Sequence, residues 1–126
     1  MIKKQILLVE GDVTHAERLK QNLEAENYNV DIVHKGNEAI LTLKQKWVDF
    51  IISSITLQGG MNGVQLVQEL KEHKDFNKIP VIIQTSKINM KEALESLGIK
   101  FFLPKPYKIN ELKNQLKEIF NNSNRF

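Results

Sequence analysis

The chain has 126 residues, of which 41% are hydrophobic and 26% are charged. This length suits one domain that buries about two-thirds of its unfolded surface, and the composition favours a packed core over disorder. The formal net charge is +3, from 18 basic and 15 acidic residues without a long basic run, so nucleic-acid binding is not expected. The absence of cysteine excludes disulfides and thiolate metal sites and agrees with a cytoplasmic location.

The amino terminus carries a short charged segment that resembles the start of a secretion signal. The apolar run that follows it, residues 6–9, ends at Glu10. That run is too short for a signal peptide or a membrane span. We therefore expect a soluble protein that does not contact a membrane.

The first half of the chain predicts two strands, each followed by a helix. Residues 6–9 form a continuous apolar run, which is typical of a strand buried on both faces. Residues 30–33 begin with alternating apolar and polar side chains, which indicates a strand at the edge of a sheet. The predicted buried stripes of the two helices are Ala16, Leu19 and Leu23, and then Ala39, Ile40, Leu43 and Trp47.

The second half predicts three more strands, at residues 50–53, 81–84 and 101–103, again with a helix after each. Asn62 is predicted to be a turn residue or the cap of the first of these helices. Asn89 is predicted to cap the second, which should stop at Gly98. The predicted helical stripes are Val64, Val67 and Leu70, then Ala93, Leu94 and Leu97, and finally Ile109, Leu112, Leu116, Ile119 and Phe120. Residues 121–126 are polar and are expected to fray.

Strand and helix thus alternate five times, with short connections. This pattern predicts an α/β fold: a doubly wound, five-stranded parallel sheet with helices on both faces. We expect one domain at residues 1–120 and a polar tail at 121–126. In such a sheet, ligands bind where the strands end. The polar residues at that edge are Glu10, Gly11 and Asp12, then Ser54, then Thr85 and Ser86, and finally Lys105.

The arrangement resembles the receiver domain of two-component response regulators, a CheY-like member of the flavodoxin-like folds, over essentially the whole chain. The stretches that carry the likeness are Ile6-Leu7-Leu8-Val9-Glu10, Met61-Asn62-Gly63, Ile79-Pro80-Val81-Ile82, Thr85-Ser86 and Lys105-Pro106-Tyr107. The resemblance implies transfer of a phosphoryl group from a histidine kinase to an aspartate at the end of the third strand. It also implies Mg²⁺ held by that aspartate and by two acids after the first strand, with a hydroxyl and a lysine on the phosphoryl oxygens.

Two of the implied residues are missing from this sequence. Glu10 matches the first acid, Thr85 the hydroxyl and Lys105 the lysine, but Gly11 stands at the second acid and Ser54 at the phosphoacceptor. The loop Gln58-Gly59-Gly60 also lacks the usual proline and is one residue longer. The resemblance is therefore to a degenerate form, a pseudo-receiver that lacks the phosphoacceptor aspartate.

These losses bear directly on the family's chemistry. Mg²⁺ prefers oxygen ligands and usually one or two carboxylates, so we expect Mg²⁺ binding to be lost or weak and assign no metal ligand. A serine hydroxyl needs a base to attack phosphorus, and the sequence places no histidine near this edge, so we assign no catalytic residue.

Three further expectations concern the residues that remain at this edge. Asp12 could replace a lost Mg²⁺ ligand. Lys105 could clamp an anion with Thr85 and Ser54, or instead pair with Glu10, which we favour. The Lys105–Pro106 bond is cis if the resemblance holds.

Output is expected through another protein, because the chain ends soon after Phe120. Phe102 matches the family's switch aromatic and should be buried, with Phe101 pointing the opposite way. The candidate partner face, on the fourth helix, fifth strand and fifth helix, comprises Lys91, Glu95, Phe101, Pro104, Tyr107 and Glu111. The expected partner is a histidine kinase or a downstream effector, and the same face could form a homodimer.

The favoured interpretation is a stand-alone atypical receiver that is not phosphorylated, is not an enzyme and acts by protein–protein interaction. Two alternatives stay open at this stage. One is a phosphoryl-accepting receiver with a rearranged acidic site, and the other is a module that binds an anion or small ligand. A nucleotide-binding enzyme is disfavoured, because Gly11 alone is not a G-x-G-x-x-G fingerprint.

Overall fold

A five-stranded parallel sheet forms the centre of the protein, with strand order β2-β1-β3-β4-β5. The structure is a computed structural model that describes residues 3–123. The elements in chain order are β1 (Gln5–Val9), α1 (Val13–Glu24), β2 (Asn29–Val33), α2 (Gly36–Gln45), β3 (Phe50–Ser54), α3 (Gly63–Glu72), β4 (Val81–Thr85), a 3₁₀ turn (Ile88–Met90), α4 (Lys91–Ser96), β5 (Phe101–Pro104) and α5 (Ile109–Ser123). The predicted fold class is confirmed, and so is the position of β2 at an edge.

Two apolar layers cover the two faces of the sheet. Successive side chains of a strand point to opposite faces, so the continuous apolar runs of β1, β3 and β4 serve both layers. One layer joins the sheet to α2, α3 and α4, and includes Leu7, Ile51 and Ile83. The other joins it to α1 and α5, and includes Ile6, Leu8 and Ile52. This double coverage explains why these strands contain no alternating polar positions.

Side-chain caps fix the starts of α1 and α3. Asn62 Oδ1 accepts a hydrogen bond from the Gln65 backbone N–H at 2.9 Å, and Gln65 Oε1 accepts from the Asn62 N–H at 2.9 Å. This reciprocal capping box confirms the predicted role of Asn62. Asp12 caps α1 by accepting from the His15 N–H at 3.0 Å.

Two local predictions are wrong. Asn89 lies inside the 3₁₀ turn, and Met90 occupies the capping position of α4 without a side-chain hydrogen bond. Trp47 lies beyond α2, because the backbone becomes extended at Lys46, and its side chain is 76% exposed. Its indole N–H instead donates to Asp49 Oδ1 at 2.8 Å.

The carboxyl terminus is more regular than predicted. Helix α5 runs to Ser123, so residues 121–123 of the predicted frayed tail are helical. Residues 124–126 lie outside the described residues. Within residues 3–123, no helix combines the length and apolar character that crossing a bilayer requires.

Candidate functional site

The ends of β1, β3, β4 and β5 bring four polar side chains together: Glu10, Ser54, Gln84 and Lys105. Strand register places Ser54 beside Gln84, and β1 lies next to β3. Glu10 and Ser54 are each 2% exposed, and Gln84 is completely buried. We call these four residues the carboxyl-edge cluster.

Glu10 is the common acceptor of the carboxyl-edge cluster. Its Oε2 accepts from Lys105 Nζ at 3.0 Å, from Gln84 Nε2 at 3.1 Å and from the Ser54 hydroxyl. Lys105 Nζ also donates to Ser54 Oγ at 3.0 Å. The other carboxylate oxygen, Oε1, accepts from the Asp12 backbone N–H at 3.1 Å. The predicted Glu10–Lys105 pair is therefore confirmed, and the cluster combines one negative and one positive charge.

The loop that follows β3 packs closely on Gly11. Gln58 Nε2 donates to the Gly11 carbonyl oxygen at 2.8 Å. A β-carbon at Gly11 would lie 3.0 Å from the Thr56 carbonyl oxygen and 3.2 Å from Leu57 Cα. Both neighbours are backbone atoms, so a side chain at position 11 would require the loop to shift by a few tenths of an ångström.

Asp12 lines the same cavity as the carboxyl-edge cluster, but its carboxylate is engaged at the start of α1. Its carboxylate caps α1, and the hydrogen bond from the His15 backbone N–H holds the pKa of Asp12 below its ordinary value. Capping a helix start also suits a negative charge electrostatically. Within residues 3–123, no three His, Cys, Asp or Glu side chains lie close enough to hold a metal ion.

Thr85 lies beside the carboxyl-edge cluster without joining it. It is 9% exposed, and its hydroxyl oxygen accepts from the Lys87 backbone N–H at 2.9 Å. Its carbonyl oxygen accepts from the Lys105 N–H at 2.8 Å, which ties the end of β4 to the start of the loop after β5. The Lys105–Pro106 peptide is cis, as the resemblance implied. Ser86 is exposed and lines a cavity of about 270 Å³ together with Glu10, Ser54 and Lys105.

Sequence reasoning missed Gln84 and Tyr107 as parts of this edge. Gln84 links Glu10 to Tyr107, because its amide nitrogen donates to Glu10 and its amide oxygen accepts from the Tyr107 hydroxyl. Burial, together with the nearby charge of Glu10, raises the pKa of the Tyr107 phenol well above its ordinary value. The available signal was a lone polar residue at the end of an apolar strand, since a buried amide needs partners.

The prediction that no histidine lies near this edge is wrong. His34 Nδ1 is 2.7 Å from the Glu10 carbonyl oxygen. The reason is the parallel pairing of β1 with β2, which places Val9 beside Val33 and so brings the following residues to the same edge. His34 contacts the backbone of Glu10, and no hydrogen bond joins it to Ser54.

Phe102 is only half-buried, so its predicted burial is wrong. β5 is an edge strand and α4 has only six residues, which leaves part of the ring uncovered, with Lys91 Nζ 5.9 Å from its centroid. Phe101 and Phe102 do pack against opposite apolar layers, as predicted.

The predicted partner face is only partly an open surface. Four of its members are exposed: Lys91, Glu95, Pro104 and Glu111. The two aromatic members are half-buried, since Phe101 and Tyr107 both pack against the layer of α1 and α5. An aromatic anchor made by that pair is not on the surface.

The stability of the protein should fall as the pH rises above about 10, the ordinary pKa of tyrosine. Burial raises the folded-state pKa of Tyr107, so the folded protein keeps a proton that the unfolded chain releases. This contribution is fully present below the unfolded pKa and is lost as the pH rises through the folded pKa. Urea unfolding at a series of pH values should show a shallower fall in Tyr107→Phe than in Tyr28→Phe. Equal slopes in the two variants would contradict the assignment.

A doubly wound parallel sheet with polar groups converging at its carboxyl edge is the class of α/β protein that binds ligands or partners at that edge, and comparison with known proteins gives the family. Residues 6–117 match the response regulator receiver domain. The chain belongs to this family, whose members act in two-component signalling.

Relatives and solved structures agree with this assignment. The chain is 34% identical over 110 residues to the probable transcriptional regulator ycf29 of Pyropia yezoensis, covering 86% of this chain and 49% of the relative. It is 29% identical over 115 residues to the phosphate regulon transcriptional regulatory protein PhoB of Rhizobium meliloti, covering 90% and 50%. The chain thus spans about half the length of these curated relatives.

Among solved structures, the signal receiver domain of a signal transduction histidine kinase from Syntrophus aciditrophicus aligns with a TM-score of 0.89 and 33% identity. The alignment covers 98% of this chain and 94% of that one. The response regulator TrrA of Thermotoga maritima, solved in complex with Mg²⁺ and BeF, aligns with a TM-score of 0.82 and 26% identity, covering 92% and 98%.

Proposed function

We propose that this receiver domain is a pseudo-receiver, which acts through protein contacts that do not depend on phosphorylation of residue 54. One observation supports the proposal above all others. The Glu10 carboxylate is already bonded by Lys105, Gln84, Ser54 and the Asp12 backbone, where the family resemblance implies an acidic pocket.

The donor set of the carboxyl-edge cluster does not suit Mg²⁺. The ion is hard and small and commonly binds through one or two carboxylates, with water in its remaining positions. Here the one carboxylate has donors on both oxygens, and Lys105 brings a positive charge 3.0 Å from it. A cation would have to displace a lysine from a buried carboxylate, which costs electrostatic energy.

Ser54 is also poorly placed as a nucleophile. Its hydroxyl donates to Glu10 and accepts from Lys105, and only 2% of the residue is exposed. In-line attack on phosphorus requires that oxygen to be free to approach the phosphoryl donor, and Glu10 and Lys105 already engage it. We therefore assign no catalytic residue and describe the domain as a signalling module that is not an enzyme.

The expected partners are a histidine kinase or a downstream effector, as for receiver domains in general, and the expected setting is the cytoplasm. We expect binding to use the exposed part of the face formed by α4, β5 and α5, which includes Lys91, Glu95, Pro104 and Glu111. The same exposed residues could instead form the interface of a homodimer.

The test is incubation with acetyl phosphate or beryllofluoride in the presence of Mg²⁺. We expect no added phosphoryl mass by intact mass spectrometry and no Mg²⁺-dependent shift of the amide NMR signals around the carboxyl-edge cluster. A stoichiometric phosphoryl adduct would contradict the proposal and favour the phosphoryl-accepting alternative. Shifts with inorganic phosphate alone would favour an anion-binding module.

The double variant Ser54→Asp, Gly11→Asp supplies a positive control for that assay. It restores the two missing carboxylates, so it should gain Mg²⁺-dependent amide shifts that the unmodified protein lacks. It should also be less stable, because a side chain at position 11 meets the Thr56 and Leu57 backbone. Ser54→Asp alone adds one carboxylate without a side chain at position 11. Comparing it with the double variant therefore separates the gain of Mg²⁺ binding from the loss of stability.

A further inference from the structure

A basic cavity of about 400 Å³ opens at the amino edge of the sheet, opposite the carboxyl-edge cluster. It lies between the end of α3, the loop into β4 and the start of β5. Three lysines line it: Lys71, Lys78 and Lys100. The apolar residues that line the same cavity include Ile79, Val81, Ile99 and Phe101.

The charge of this cavity is not balanced locally. None of the residues that line it is acidic. Within residues 3–123, the ion pairs are Lys46–Asp31, Lys105–Glu10 and Lys113–Glu26, so none of the three lining lysines takes part in one. A concave surface with several cations and low-dielectric walls concentrates negatively charged ligands.

An apolar extension adjoins the basic cavity. A second cavity, of about 340 Å³, shares Lys78, Ile79 and Pro80 with the first and is bounded by Trp47. The Trp47 side chain is exposed, and its indole N–H is held by Asp49, whose other oxygen accepts from the Gln5 N–H at 2.7 Å. Oriented, exposed tryptophans are common anchors in protein interfaces.

We infer that these two adjoining cavities, the amino-edge groove, bind a short acidic segment of a partner protein. Its carboxylates lie against Lys71, Lys78 and Lys100, and an apolar side chain lies against Trp47. The Trp47 end carries both signs of charge, Lys4 and Lys46 with Asp49 and Asp75, whereas the other end carries only lysines, so the carboxylates lie at the lysine end. Strands β3, β4 and β5 begin at this edge about 4.8 Å apart, so an extended segment of about three residues spans the distance from β3 to β5.

A peptide fits this surface better than a free anion because apolar side chains form much of the groove. The inference deepens the proposed function, since it names a surface and a partner chemistry for a module that works by protein contact. It involves none of the carboxyl-edge cluster, so the two proposals can fail separately.

The experiment uses a fluorescein-labelled hexapeptide of alternating glutamate and leucine, titrated with the full chain. Fluorescence anisotropy gives the affinity, and emission from Trp47, the only tryptophan, reports whether the groove is the site. We expect saturable binding that weakens with salt and changes Trp47 emission. Lys78→Glu and Lys100→Glu should each weaken binding about tenfold. Lys108→Glu is the matched control, because it makes the same charge change at the exposed carboxyl edge and should leave the affinity unchanged.

Several results would overturn the inference. They are the absence of saturable binding, an equal loss in Lys108→Glu, saturation without any change in Trp47 emission, or equal binding of a lysine–leucine peptide. Competition by inorganic phosphate at the affinity of the peptide would also overturn it, because a general anion site would then suffice. If the peptide does not bind and the phosphorylation assay is also negative, only the inference about the amino-edge groove is refuted. The pseudo-receiver proposal is then unaffected.

Discussion

Replacing Lys105 with methionine should lower the free energy of unfolding by about 3 kcal/mol. Glu10 is 2% exposed, and the lysine supplies the one positive charge in contact with its carboxylate. Without the lysine, the carboxylate stays buried with only neutral donors, and its desolvation is no longer offset. Urea unfolding followed by circular dichroism measures the change.

Two further variants isolate the cause. Lys113→Met breaks an ion pair with the half-exposed Glu26, where water screens the charges, and should change the unfolding midpoint little. The double variant Glu10→Gln, Lys105→Met removes both charges and should be more stable than Lys105→Met alone. A double variant as unstable as the single one would show that Lys105 acts by packing instead of by charge.

Replacing Gly63 with alanine should cost about 3 kcal/mol. A β-carbon there would lie 2.2 Å from the Ser54 carbonyl oxygen and 2.8 Å from Ile55 Cα. These are backbone atoms of the central strand and the residue after it, and the Gly63 N–H already donates to the Ile55 oxygen at 2.7 Å. The first turn of α3 would therefore have to move away from β3, which thermal and urea unfolding would both detect.

Gly60→Ala is the matched control in the same loop. No heavy atom lies within 4 Å of a β-carbon at Gly60. The substitution should be neutral or stabilise the protein by about 0.5 kcal/mol, through the lower entropy of the unfolded chain. Equal losses in the two variants would place the sensitivity in the loop as a whole instead of in the contact between α3 and β3.

The sheet could be predicted because its strands are buried on both faces. Continuous apolar runs at β1, β3 and β4 have no other simple interpretation when helical stripes separate them. The Glu10–Lys105 pair could be predicted because the carboxyl ends of parallel strands meet at one edge of the sheet, which brings together the residues that follow β1 and β5. The wrong element boundaries lie where the backbone changes direction. Periodicity extends the α2 stripe to Trp47, but it cannot show that the chain leaves the helix at Lys46.

The rest of the site depended on contacts between distant segments. The residue pattern predicts Gln84 only as the end of an apolar strand, although it links Glu10 with Tyr107 across the edge. The sequence places no histidine near the site, although pairing of β2 with β1 brings His34 to the Glu10 backbone. The exposure of Phe102 depends on how much of an edge strand a six-residue helix covers, which residue patterns do not specify.

The packing of the loop on Gly11 has an evolutionary consequence. The Gln58–Gly11 hydrogen bond and the approach of Thr56 leave a β-carbon at position 11 only tight contacts, which the loop relieves by shifting a few tenths of an ångström. An ancestor or descendant with an acid at this position should therefore carry a slightly displaced segment after β3. Gain or loss of that acid is thus coupled to a small adjustment of the neighbouring loop, and single substitutions at residue 11 start at a disadvantage.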